Sequence, residues 1–183
     1  MSDPPAARLP SVLRRAIERS QGYLMLKMPG EAARELAAIA ELAGDLPDFL
    51  RARIDVNTAA GDWPTVLSDA NRLNTIEPDQ PSTFITRAFA TRRCRSLAEA
   101  ESILQEGAKR FPEEGLIWYN LACYAAVAGR AEEALLLLGR ALKREPGLLR
   151  IAAGDEDLDT LRSQIDEWEL ALERAEDSPG FPE

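Results

Sequence analysis

GLIWYNLACYAAVAGRAEEALLLLGRALKREP, residues 115–146, decides how the chain folds. Its apolar residues recur every three to four positions on both sides of Gly129-Arg130, and it stops at Pro146. That pattern predicts two amphipathic helices joined by a short turn. Two helices of about thirteen residues cannot bury both apolar faces alone, so the stretch must stack on copies of itself.

The copies lie upstream at a fixed interval. Prolines of the IEP, RFP and REP tripeptides fall at 78, 112 and 146, spaced by 34 residues. Stepping back by 34 from Ala134 meets Ala100, Val66 and Ala32 without insertion or deletion. The position four residues later reads Leu36, Ala70, Leu104 and Leu138. Four units in one register predict a stacked helical array. Their expected bounds are 13–46, 47–80, 81–114 and 115–148. Unit two opens at Pro47-Asp48, turns at Gly61-Asp62 and restarts with Pro64 near a first helical position.

The last unit resembles a tetratricopeptide repeat. Trp118, Leu121, Ala122, Ala134, Leu138, Ala141 and Pro146 carry the resemblance as a large–small alternation. Small alanines let two helices cross closely, and Trp118 and Leu138 fill the space beside them. Unit one keeps Tyr23, Ala32 and Leu36, and unit three keeps Phe84, Ala88, Ala100, Leu104 and Pro112. The resemblance covers about residues 13–148. It implies an all-α, right-handed superhelix with a concave groove lined by each unit's first helix, and a scaffold or adaptor binding a partner's peptide segment there.

By that resemblance the groove carries Arg51 and Asp55 from unit two, and Phe89, Arg92 and Arg93 from unit three. Tyr119, Asn120 and Cys123 join them from unit four. RAFATRRCR, residues 87–95, is the one basic cluster. Arginine forks beside aromatic rings suit a carboxylate or an acidic segment, and the resemblance puts Asn120 where an Asn of this family often bonds peptide backbone. A dedicated chaperone for secretion or complex assembly is the alternative function. Self-association is a further expectation, through the Trp168 helix or an uncovered first repeat. Arg19, Arg53 and Arg87 also recur at spacing 34, read most simply as stems pairing with acids on the second helices.

Downstream, Leu158, Leu161, Ile165, Trp168 and Leu172 step by three and four with acids opposite. They predict a capping helix within 149–176 that covers the last repeat. LLRIAAGDEDLDTLR, residues 148–162, also looks like the segment that often closes bacterial repeat arrays. Residues 1–11 and 177–183 read as disordered.

Composition narrows the function. There is no histidine among 183 residues, which removes the commonest general base and metal ligand. Cys94 and Cys123 have no CxxC spacing, and no charged residue is a close sequence neighbour of Cys123. Asp155, Asp157 and Asp159 open like a calcium loop, but Thr160 stands where glycine is needed and Asp166 where a glutamate is. The expectation is therefore no enzyme, no cofactor and no metal. Net charge is −9, and residues 149–183 hold eleven acids against three arginines. That balance argues against nucleic acid. No stretch reads as a signal peptide or membrane span, and isolated thiols fit a reducing compartment, so a cytoplasmic location is expected.

Overall fold

The computed structural model describes residues 10–176, which form an all-α chain with no strand among them. Residues 1–9 and 177–183, both expected to be disordered, lie outside the described residues. The chain divides into two compact units, residues 1–96 and 97–183.

The first unit contains α1 (Ser11–Met25), α2 (Pro29–Ala37), the short α3 (Ala40–Ala43), α4 (Pro47–Ala60), α5 (Trp63–Ile76) and α6 (Pro81–Cys94). Proline opens α2, α4 and α6, and it is the second residue of α5. At such positions its missing N–H costs nothing. Asp62 caps α5 by accepting from the Thr65 N–H at 3.3 Å. The second helix of the first repeat is broken at Ala38-Ile39, where the continuous helix of the repeat pattern was expected. Ile39 sits at φ −116° and ψ 0° and donates to the Leu36 carbonyl, an i→i−3 bond. The tightened turn lets Leu36, Ile39 and Ala43 all enter the core with Leu13, Ala16, Phe49 and Val56. A second cluster, Leu50, Ile54, Val66, Leu67, Ala70, Leu73 and Ala90, joins α4, α5 and α6.

The second unit contains α7 (Leu97–Arg110), α8 (Gly115–Val127), α9 (Ala131–Arg144), α10 (Leu148–Ala152), a 3-10 turn (Glu156–Leu161) and α11 (Arg162–Glu176). Gly115 begins α8 against the end of α9: a Cβ there would lie 2.9 Å from the Glu145 Cβ. Most of α8 is buried, from Leu121 through Ala126 without a break. Leu158, Leu161 and Ile165 are buried and Trp168 is half-buried.

The repeat period shows in the backbone at each first helix's end. Lys27, Gly61, Arg95 and Gly129 stand at equivalent positions. The first, second and fourth adopt φ of +57°, +75° and +77°. Glycine takes this left-handed C-terminal position without steric penalty, whereas Lys27 pays one. Arg95 departs from the pattern, with φ −133° and ψ −94°.

Of the expected repeat-core residues, Ala32, Leu36, Ala88, Ala100, Leu104, Leu121, Ala122, Ala134, Leu138 and Ala141 are buried. Tyr23 and Trp118 are only half-buried. The Trp118 indole donates to the Pro112 carbonyl at 2.8 Å, and the Arg140 and Arg144 guanidinium groups lie 5.2 and 5.5 Å from its ring. Its polar edge and cationic neighbours hold it at the rim of the core.

Candidate functional site

The residues expected to share one groove fall into two sets, one in each unit. In the first unit Arg51 and Asp55 lie one turn apart on α4, while Phe89, Arg92 and Arg93 lie on α6. A cleft of about 180 Å³ is lined by Arg51, Ile54, Asp55, Leu73, Ser82, Thr83 and Thr86. Arg51 pairs with Asp48 at 3.3 Å and with Glu77. Asp55 has no basic side chain paired with it among the described residues. Burial raises the pKa of its carboxyl above the usual carboxylate range.

Beyond the cleft along α6, Phe89 meets Trp63 edge to face, with ring centroids 5.4 Å apart. The Arg93 guanidinium lies 4.5 Å from the centroid of each ring. Trp63 is absent from the sequence-based site. A signal existed: its repeat column otherwise reads Pro29, Leu97 and Ala131, so Trp63 is the one aromatic there. Arg92 is half-buried on the same helix.

In the second unit the expectation needs correcting. Tyr119 and Cys123 do not face an open groove; they are 5% and 3% exposed. The segment after α10 covers them. The Tyr119 hydroxyl donates to Asp155 Oδ2 at 2.7 Å, and the Cys123 thiol donates to the same oxygen at 3.5 Å. Asp155 Oδ1 accepts from the Asp157 N–H at 3.0 Å, capping the 3-10 turn. Burial, and then the Asp155 hydrogen bond, holds the Tyr119 pKa well above the ordinary phenol value. Burial and the Asp155 charge do the same to the Cys123 thiol. Asn120 is half-buried, and its amide donates to the Leu116 carbonyl of its own helix at 2.8 Å. That donor is spent locally rather than offered to a peptide.

Cys123, Asp155 and Asp157 also bring three potential metal-ligand atoms within 4.8 Å of one another. Their chemistry favours fastening over metal binding. Both Asp155 oxygens already accept hydrogen bonds, Oδ2 from the Tyr119 hydroxyl and Oδ1 from the Asp157 N–H. The acids of the D-x-D-x-D run are otherwise engaged in helix capping and pairing: Asp159 holds Arg162 at 2.6 Å.

The repeated arginines also pair inside the first unit. Arg19 reaches Glu35 at 2.7 Å, Arg53 forks onto the fully buried Asp69, and Arg87 donates to Asn71 Oδ1 at 2.9 Å. The first two link a repeat's first and second helices across sixteen residues, while Arg87 reaches back to the preceding repeat. The Arg53 and Arg87 guanidinium groups also lie over Phe49 and Phe84, at 5.2 and 5.6 Å. A larger cleft of about 530 Å³ lies between α2 and α5, with Phe49, Arg53 and Asp69 in its lining. Its charged groups are neutralised within the chain.

These features define the protein by class: it has a tetratricopeptide-type helical-repeat fold. No protein-family description matches the chain, and no curated protein matches it either. Solved structures do. "MamA 41-end from Desulfovibrio magneticus RS-1" is similar with a TM-score of 0.68 at 16% identity, covering 93% of this chain and 100% of that one. "MamA RS-1 ArsTM double mutant" gives 0.66 at 17% identity, over 94% and 100% of the respective chains. A further MamA crystal structure gives 0.67 at 11% identity, over 94% and 98%. MamA is a tetratricopeptide-repeat protein, and likeness at this identity is likeness of fold. No helix among the described residues is long and apolar enough to cross a membrane.

Proposed function

We propose that the protein is a non-enzymatic interaction scaffold that holds a segment of a partner protein on the α4–α6 surface of its first unit. The observation that carries this reading is the cleft lined by Arg51, Asp55, Ser82 and Thr86, continued along α6 by the Trp63–Phe89–Arg93 cluster. It combines backbone-binding polar groups with rigid aromatic area, the mixture that peptide-binding surfaces use. Catalysis has little support. The chain lacks histidine, and burial and hydrogen bonding hold the Cys123 thiol protonated. Tyr119 and Cys123 drop out of the proposed surface, because they are buried and donate to Asp155 within the second unit, and Asn120 is left out because one of its amide donors is held by its own helix.

A photo-crosslinking side chain at Ser82, on the cleft, should give adducts with a partner protein in cells. The same group at Thr75, exposed on α5, should not. Equal adducts at both positions, or none at Ser82, refute the surface. A dedicated chaperone would use the same cleft and would differ in one measurable way: its client would lose solubility when this protein is deleted.

A further inference from the structure

Two opposite charges of the first unit, Asp55 and Arg93, have no oppositely charged side chain paired with them among the described residues, and α6 connects the places where they lie. Several arginines of the unit do find carboxylates: Arg19 takes Glu35, Arg34 takes Glu31, Arg51 takes Asp48 and Glu77, and Arg53 takes Asp69. Acids outnumber bases in this chain by 31 to 22, so an exposed arginine without an acid is not explained by a shortage of acids. Arg93 is exposed and makes its contacts with the rings of Trp63 and Phe89. Two flanking rings fix the guanidinium plane and restrict its rotamers. Its N–H edge stays available for a bidentate carboxylate, at a reduced entropy cost on binding. Asp55 is the converse, a carboxylate in a cleft with no basic partner, where its charge is partly desolvated.

The two are spaced along one helix. Ser82, Thr86, Phe89 and Arg93 follow the i, i+4, i+7, i+11 stripe of α6. Thr86 shares the cleft with Asp55, and Arg93 stands seven residues on, so the backbone of α6 rises roughly 10 Å from the cleft to the position of Arg93 at 1.5 Å per residue. A 10 Å gap corresponds to about three residues of extended chain.

We infer that this surface selects a partner segment carrying a basic and an acidic side chain about three residues apart, the base seated on Asp55 and the acid on Arg93. The inference rests on the scaffold reading and adds the charge pattern that the partner must present. Neither charge alone suffices: a purely acidic segment meets Asp55, and a purely basic one meets Arg93, in a site where desolvation sharpens repulsion.

The test uses defined probes. Fluorescein-labelled twelve-residue peptides in a Gly/Ser/Ala background carry Lys-x-x-Glu, Glu-x-x-Lys, Lys-x-x-Lys or Glu-x-x-Glu at their centre. Anisotropy titrations of the full chain at low salt should show one mixed-charge order binding at least tenfold tighter than either single-sign peptide. Affinity should fall with added salt. The Asp55→Lys, Arg93→Glu double variant should reverse the preference, binding the other order by a similar factor. Both residues keep exposed surface and neither is paired with an opposite charge among the described residues, so thermal unfolding of the variant should match wild type, and binding is scored against that control. Equal binding of single-sign and mixed peptides, or an unchanged order preference in the double variant, overturns the inference. So does a doubled mass in light scattering that Arg93→Glu abolishes, which would assign the face to a second copy of the chain. If Ser82 crosslinks to a partner while the peptides fail, the scaffold reading stands and the charge pattern falls. If Ser82 gives no adduct, the scaffold reading falls as well.

Discussion

Replacing Tyr119 by phenylalanine removes one oxygen and leaves the ring that packs α8 against the segment after α10. The lost hydroxyl donates at 2.7 Å to a carboxylate oxygen, from a side chain only 5% exposed. Hydrogen bonds to charged groups contribute about 1.5–3 kcal/mol, and water has little access to replace this donor. The volume change is a single oxygen, so the cavity contribution is small and the expected cost is about 2 kcal/mol. Asp155→Ala removes more: the Tyr119 bond, the weaker Cys123 contact and the cap on the Asp157 N–H. A lost cap adds about 1 kcal/mol, for an expected total near 3 kcal/mol. Because both variants break the same bond, the double variant should cost well under the sum, with a coupling of about 1.5–2 kcal/mol. Urea unfolding at pH 7, followed by circular dichroism and by the fluorescence of Trp118 and Trp168, measures all four corners. Additivity within about 0.5 kcal/mol, or a Tyr119→Phe variant as stable as wild type, would refute the claim that Asp155 fastens this segment to α8.

The same cluster predicts an alkaline limit on stability. The folded-state pKa values of Cys123 and Tyr119 lie above their unfolded values, so their contribution is complete below about pH 8.5. Above it, the unfolded chain sheds a thiol proton that the folded chain keeps, and stability falls by up to about 1.4 kcal/mol per pH unit for each such group. Cys123→Ala should flatten the first part of that decline. In the native protein a thiol reagent should label the exposed Cys94 quickly and Cys123 only after denaturation; rapid labelling of both would show that the Asp155 segment does not cover α8. Arg53→Ala leaves the fully buried Asp69 carboxylate with only Arg72, at 3.6 Å, and should cost about 3 kcal/mol, whereas Arg19→Ala, at an exposed pair, should cost under about 1 kcal/mol by thermal or chemical unfolding. Lys27→Gly relieves a left-handed non-glycine residue and should raise stability by about 1 kcal/mol in the same assays.

The repeats could be read from the chain because they rest on local and periodic rules. A 34-residue interval, prolines near helix starts, and small residues where helices cross are properties of composition and spacing. The small residues of those columns, Ala32, Ala88, Ala100, Ala122, Ala134 and Ala141, are all buried. Even the broken second helix of the first repeat has a local cause, although whether Ile39 turns inward depends on the core that receives it.

The candidate site was only half legible, and the reason is distance along the chain. Sequence spacing puts Tyr119, Asn120 and Cys123 on faces of α8 but cannot say what comes to lie over them. Asp155 arrives from 36 residues away and turns two of the three from surface into interior. Phe89, Arg92 and Arg93 could be assigned to α6 from their helical spacing. Trp63, on the preceding helix, is what converts Arg93 from one member of a basic cluster into a clamped cation. Which charges find an opposite charge among the described residues, as Arg53 does in Asp69 whereas Arg93 meets two rings, follows from how the helices pack side by side. Periodicity determined the fold, since each helix's apolar stripe is written in its own residues. Exposure and pairing belonged to the tertiary structure, because each depends on atoms that the chain brings together only on folding.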